Sequence, residues 1–292
     1  MDRLLFLLAA GLARGAVLAL FALSLVIVWR AARVVNFAQA AMAAAAVYAA
    51  FHATAATGSY WIGLATGLAA GALLGAAVER GLMRRLPAHA PLPGIIVAIG
   101  LVMVLQAGLA IAFGPEHRPM HPPFSQRPFV IGGVPLLSPY DLFTLGAAAA
   151  VMAALALLFN RTPLGLRLRA AAFAPETARL AGVRVPRMVA LGWALSAAAA
   201  ALAALLLVPT ELGLNPHAVD LLFVNAFAVA VIGGLDSPAG ALLAGIGTGL
   251  LVSLVTGYAS ASAAPLAVLA LMTLVLLVRP GGLLAAKEAR TA

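Results

Sequence analysis

The sequence predicts an all-α integral membrane protein, a polytopic bundle of about eight transmembrane helices with broken helices among them. Three observations carry this. Hydrophobic residues make up 64% of the 292 residues and charged residues only 9%, against about 25% charged in an ordinary soluble domain. The apolar residues fall in repeated continuous runs, and roughly 20 such residues suffice to cross a bilayer as a helix. The runs do not alternate apolar with polar residues as the strands of a membrane barrel would.

Hydropathy places the spans at 4–29, 37–56, 60–78, 93–113, 142–159, 188–208, 221–231 continuing as 240–257, and 265–278. The start of the first superficially resembles a signal peptide, but the apolar run resumes after Arg14 and reaches Trp29, which predicts a retained helix. The seventh counts as two, because Gly233-Gly234 and Asp236-Ser237-Pro238 interrupt it. Such breakers are tolerated at membrane depth only where backbone is buried in protein or lines a cavity. Counting half-helices separately raises the total to nine or ten.

Basic residues orient the bundle, because cytoplasmic connections carry an excess of them. With the 160–187 connection placed inside, the inside segments hold Arg30, Arg33, Arg80, Arg84, Arg85, Arg161, Arg167, Arg169, Arg179, Arg184, Arg187, Arg279, Lys287 and Arg290. The outside segments hold only Arg3, Arg118 and Arg127. The C-terminus is therefore expected in the cytoplasm and the N-terminus outside. The same asymmetry explains the net charge of +9 without nucleic acid, since no soluble basic domain is present.

Most soluble chemistries are excluded. There is no cysteine, so disulfides and thiolate nucleophiles are out. No phosphate-binding glycine loop occurs, so ATP is not expected to bind this chain. The histidines, His52, His89, His117, His121 and His217, are scattered. Only His117 and His121 have a metal-compatible spacing, and Pro119 and Pro122 oppose a helix there. No metal site, no catalytic residues and no enzymatic activity are expected.

The polar residues inside spans are few. Arg14 reads either as a group facing the bundle interior or, the favoured reading, as a snorkelling residue on a span that begins later. Asp141 and Asp220 read as N-terminal caps. Asn36, Gln39, Gln106 and Asn225 read either as helix–helix glue or as lining of a translocation path. The poverty of buried acid argues against a proton-coupled pump. The 160–187 connection carries Pro163, Gly165 and Pro175 as breakers beside an alanine-rich stretch. Connections of that length are usually functional.

Three segments then carry a resemblance. They are 11–48 (GLARGAVLALFALSLVIVWRAARVVNFAQAAMAAAAVY), 162–190 (TPLGLRLRAAAFAPETARLAGVRVPRMVA), and 227–249 (FAVAVIGGLDSPAGALLAGIGTG) with the closing RPGGL at 279–283. Together and in this order they resemble the branched-chain amino acid ABC transporter permeases of the LivH/LivM type. The resemblance implies a single transmembrane permease domain over 1–292, in a bacterial inner membrane. Its implied partners are a second permease subunit, two ATPase subunits that hydrolyse ATP, and an extracytoplasmic solute-binding protein; no cofactor is implied in this chain. It also implies that the 160–187 loop couples to the ATPase, because Glu176-Thr177-Ala178-x-x-x-Gly182 matches the spacing of the coupling segment of such importers. The coupling residues are then Pro163, Gly165, Arg167, Arg169, Pro175, Glu176, Ala178 and Gly182. The implied path residues are Asn36, Phe37, Gln39, Asn225, Phe227, Gly233 and Gly234.

Three departures concern substrate more than fold. Gln39 and Ala40 stand where the family carries His-Gly, Asp236 stands where it carries glycine, and Asn225 where a lysine is common. Branched-chain or other hydrophobic amino acids are the implied substrate. Urea, an amide, another small carboxylate or a sugar stays open, as does the reading of an ion-coupled secondary transporter.

Overall fold

Helix packing at very short range organises the molecule. The computed structural model describes residues 2–86, 91–131, 133–210 and 213–284. His89, Lys287 and Arg290, named above, and Gly132 lie outside the described residues. The elements are α1 (Asp2–Ala32), α2 (Gln39–Thr57), α3 (Tyr60–Gly81), α4 (Pro91–Phe113), β1 (Val130–Ile131), β2 (Val134–Pro135), α5 (Pro139–Arg161), α6 (Pro163–Phe173), α7 (Pro175–Leu180), α8 (Val185–Leu207), α9 (Asp220–Gly233), α10 (Pro238–Tyr258) and α11 (Ala264–Val278). Among the described residues eight helices are long and apolar enough to cross a membrane, and α9 is a shorter apolar helix of 14 residues. The chain is an all-α polytopic membrane protein. Its strands form one short antiparallel hairpin in the loop before α5.

α1 is the spine, buried along most of 13–28. It crosses α10 antiparallel, and glycines let the backbones meet. A methyl group at Gly15 would stand 2.9 Å from the Ile246 Cα, and one at Gly11 the same distance from the Leu250 Cα. Gly245 and Gly249 answer from α10, against Ala19 and Gly15. In lipid the hydrophobic effect does not hold helices together, so close backbone approach and dispersion do. α3 repeats the device: Gly63, Gly67, Gly71 and Gly75 fall four apart on one face, against α2 and α8.

Two ends of the bundle are distinct. At one, Arg33 pairs with Asp236, Arg84 donates to the Pro186 carbonyl, and the Leu283 amide donates to the Ile232 carbonyl. The segments holding nearly all the described arginines therefore collect at this basic end. At the other, Arg3 donates to the Gly257 carbonyl, and Arg118 and Leu214 exchange backbone hydrogen bonds at 2.9 and 2.8 Å.

The interruption at 233–238 is a turn at the basic end rather than a break at mid-depth. α9 and α10 fold back on each other there, with Gly233 against Gly240. Gly234 takes φ 96° and the Ser237 hydroxyl caps α10 through the Gly240 amide at 3.0 Å. Among the described residues α9 is thus a ninth, shorter apolar helix beside the eight of membrane length.

Candidate functional site: a basic-end hairpin and a mid-depth cavity

The 160–187 connection folds as two short helices, each opened by proline at its first turn, where the missing amide costs nothing. Thr162 caps α6 by accepting from the Gly165 amide at 3.1 Å. Gly165 is buried, and a side chain there would strike the Leu158 and Phe159 backbone. Leu168, Ala171 and Ala178 face inward, Ala171 and Ala178 joining a small cluster with Val185. Ala178 therefore packs on its own bundle and is not on the outer face. The outer face carries Leu166, Arg167, Phe173, Pro175, Glu176 and Leu180, while Arg169 is half-buried. Leu180 is 91% exposed. Glu176 bonds Arg179 at 2.9 Å, and Gly182 closes the hairpin at φ 79°, which suits glycine.

This hairpin is tied to the rest by arginines. The Arg33 guanidinium lies 5.6 Å from the Phe173 ring centre and also pairs with Asp236. On the other side Glu79, only 3% exposed, holds Arg84 through two hydrogen bonds at 3.0 and 2.6 Å, and Arg84 reaches the Pro186 carbonyl at 2.9 Å.

The residues read as path lining separate into four groups. Asn36 and Gln39 are glue. Both are 1% exposed. The Gln39 amide nitrogen donates to the Ser196 hydroxyl at 2.9 Å and the Ser196 carbonyl at 3.1 Å, and its oxygen accepts from Asn36 at 2.6 Å. Ser196 in turn donates to the Ser24 carbonyl at 2.7 Å, so one amide joins α1, α2 and α8. Phe37 and Phe227 form an aromatic cluster with Phe223, at centroid distances of 6.1 to 6.2 Å. Gly233 and Gly234 serve the basic-end turn, Gly234 lying against Gly282.

Asn225 alone of that set lines a large cavity. The cavity, about 460 Å³, lies among α1, α9, α10 and the start of α11, roofed by His117 and Asn215. Arg14 lines it too, and also borders an adjoining cavity of about 420 Å³. Arg14 is exposed and lies alongside the middle of α10. α1 is helical from Asp2, and the flanking Gly11 and Gly15 lie against Leu250 and Ile246. Those positions are about 18 and 12 Å from the start of the 21-residue α10, near the middle of its length of about 32 Å.

The capping readings divide. Asp141 does cap α5, exchanging side-chain and backbone hydrogen bonds with Ser138. Asp220 does not cap α9. Its carboxylate accepts from Gln106 of α4 at 3.0 and 3.1 Å and pairs with His217 at 2.9 Å. The glycine seams were missed by the sequence reading, although four-residue spacings at 11/15, 63/67/71/75 and 245/249 signal them.

The family model of the branched-chain amino acid transport system permease component matches residues 7–278. The chain belongs to that family. It is a membrane permease component, and its bundle is the membrane-spanning part of a transport system. It is 27% identical over 292 residues to the high-affinity branched-chain amino acid transport system permease protein LivH of Salmonella typhimurium, covering 95% of this chain and 94% of that one. It is 28% identical over 294 residues to LivH of Escherichia coli K12, with the same coverage. Against BraD of Pseudomonas aeruginosa it is 30% identical over 219 residues, 73% of this chain and 71% of the relative.

Proposed function

We propose that this permease is one transmembrane subunit of an ABC importer for branched-chain and other hydrophobic amino acids. It works with a second permease subunit, identical or homologous, two ATPase subunits and an extracytoplasmic solute-binding protein. It binds no ATP and catalyses no reaction itself. Its basic end and C-terminus face the cytoplasm of a bacterial cell.

One observation carries this reading. A helical hairpin outside the membrane-length helices, α6–α7, presents Leu166, Phe173 and Leu180 to solvent beside Arg167, Glu176 and Arg179. Apolar groups on an exposed, proline-delimited hairpin are the mark of a docking surface. The surface lies at the arginine-rich end, where a cytoplasmic partner belongs. The four residues Pro163, Gly165, Pro175 and Gly182 shape the hairpin; Arg167, Arg169 and Glu176 supply charge; Ala178 holds it to the bundle.

The testing experiment is uptake of labelled leucine into proteoliposomes. Uptake is expected only when the ATPase, internal ATP and loaded binding protein are all present. Leucine accumulation by this chain alone, driven by an ion gradient, would overturn the reading in favour of a secondary transporter.

A further inference from the structure

We propose that the groove between α5 and α10 at the basic end is a binding site for an anionic glycerophospholipid, with Arg30 and Arg169 addressing its phosphate. The proposal goes beyond the transport reading above and does not rest on it.

The groove follows from how the spine is covered. α5 and α10 both pack on α1, and a cavity of about 560 Å³ opens between them. Its depth suits a lipid. Arg30, Asn160, Asp236 and Ser237 line it where α1, α5 and the α9–α10 turn reach the basic end. Leu23 and Met152 line it about 10 and 12 Å deeper, measured along α1 from Arg30 and along α5 from Asn160. Ile27, Leu155 and Leu242 line the stretch between. Leu157 and Leu243, beside the lining on either helix, are 60% and 59% exposed. The groove therefore opens sideways between two lipid-facing helices, a polar mouth over an apolar depth, as a headgroup sits over an acyl chain.

The mouth is positive. Arg30 is half-buried there, and Asp236, Arg169 and Arg33 are the charged groups that act on it. Three guanidiniums meet one carboxylate, and that carboxylate accepts from Arg33 at 2.6 Å. The Arg30 side chain donates no hydrogen bond to a described residue. Arg169, half-buried on α6, lines a small cleft beside the groove together with Arg30. A guanidinium presents a planar fork that fits phosphate oxygens, and basic pockets between membrane helices hold anionic headgroups. Asn160, exposed at the mouth, adds an amide that donates to or accepts from headgroup hydroxyls. A free phosphate uses only the mouth; the apolar depth below it selects a phosphate that carries acyl chains.

The absence of native cysteine makes the test direct. Leu157→Cys, at the edge of the groove, is labelled with bimane in the full chain, reconstituted into phosphatidylcholine bilayers. Quenching by dibrominated phosphatidylglycerol is compared with quenching by dibrominated phosphatidylcholine at equal mole fraction. Phosphatidylglycerol is expected to bind about fivefold more tightly at this position, the effect of roughly one arginine near the membrane surface. Arg30→Gln is expected to bring the ratio towards one. From Leu274→Cys, exposed on α11 and outside the groove lining, the ratio is expected to stay near one throughout. Leu243→Cys replaces Leu157→Cys, and Arg169→Gln replaces Arg30→Gln, where a variant does not insert. Equal quenching by the two lipids at the groove overturns the proposal, and so does a preference that survives both arginine substitutions or is matched at position 274. Millimolar inorganic phosphate is expected to leave the quenching unchanged. Full displacement of the lipid by phosphate makes the groove a free-anion site and overturns the proposal.

Discussion

The Arg33 guanidinium donates to the Asp236 carboxylate at 2.6 Å, joining the end of α1 to the α9–α10 turn across 203 residues of sequence. Arg33 holds φ 54°, unusual for a residue with a side chain, and its guanidinium also lies over Phe173 of the exposed hairpin. One arginine thus touches both the surface proposed to receive work and the turn between two core helices.

Breaking that pair should therefore uncouple more than it unfolds. Both side chains are nearly half exposed, and exposed pairs are worth about 0–1 kcal/mol. Arg33→Ala and Asp236→Asn should leave the melting temperature in detergent nearly unchanged and raise the ATP hydrolysed per leucine imported. Exchanging the two residues should recover part of the loss. An unchanged hydrolysis-to-uptake ratio in both single variants would remove the pair from the coupling route.

Gln39 behaves differently because it is buried. Gln39→Ala leaves the Ser196 carbonyl and the Asn36 amide short of a partner, and an unmade buried hydrogen bond costs about 1–3 kcal/mol. Thermal unfolding should fall accordingly, with Gln39→His milder because imidazole retains one donor and one acceptor. Equal stability of Gln39→Ala and the parent chain would show that this amide is not the junction of α1, α2 and α8.

The glycines of α10 provide an internal control. Gly245→Ala places a methyl group against the Ala19 backbone, whereas around Gly247 nothing lies within 4 Å. Overpacking costs about 1–3 kcal/mol, and alanine in an open helical position gains up to about 1 kcal/mol. Gly245→Ala should lower stability and Gly247→Ala should hold or raise it. Similar effects at both would contradict the close α1–α10 crossing.

Glu176→Arg and Gly182→Pro act on the hairpin itself. Glu176 is exposed, and proline cannot take the φ of 79° at Gly182. Both variants should insert in normal amount yet lose much of their uptake and ATPase association, measured by co-purification. Full uptake in both would dismiss α6–α7 as the coupling element.

Much of this was legible in the residues, and the remainder has physical causes. Continuous apolar runs announced the helices, and arginine placement announced that one end would be basic. Pro163, Gly165 and Pro175 beside the alanine-rich stretch announced short helices in the 160–187 connection. The pairing of Gln106 with Asp220 was not legible, because the two lie 114 residues apart and either reads locally as a solitary polar group. The depth of Arg14 depends on where α1 crosses α10, which only tertiary packing sets. Gly233 and Gly234 divide the seventh apolar run in two, but composition marks a breaker without saying whether it lies at membrane depth or in a turn at one end.

If α6–α7 receives the ATPase, a cross-linker placed at position 180, the most exposed apolar residue of the hairpin, reaches it. Leu180→Cys in this otherwise cysteine-free chain is treated with a bifunctional thiol–amine reagent in membranes that also contain the ATPase. Ser260→Cys, exposed at the opposite end, serves as the comparison. A covalent adduct with the ATPase from position 180, changing in yield when ATP is added, and none from position 260, is the predicted result. An ATPase adduct from 260 and none from 180 would contradict it.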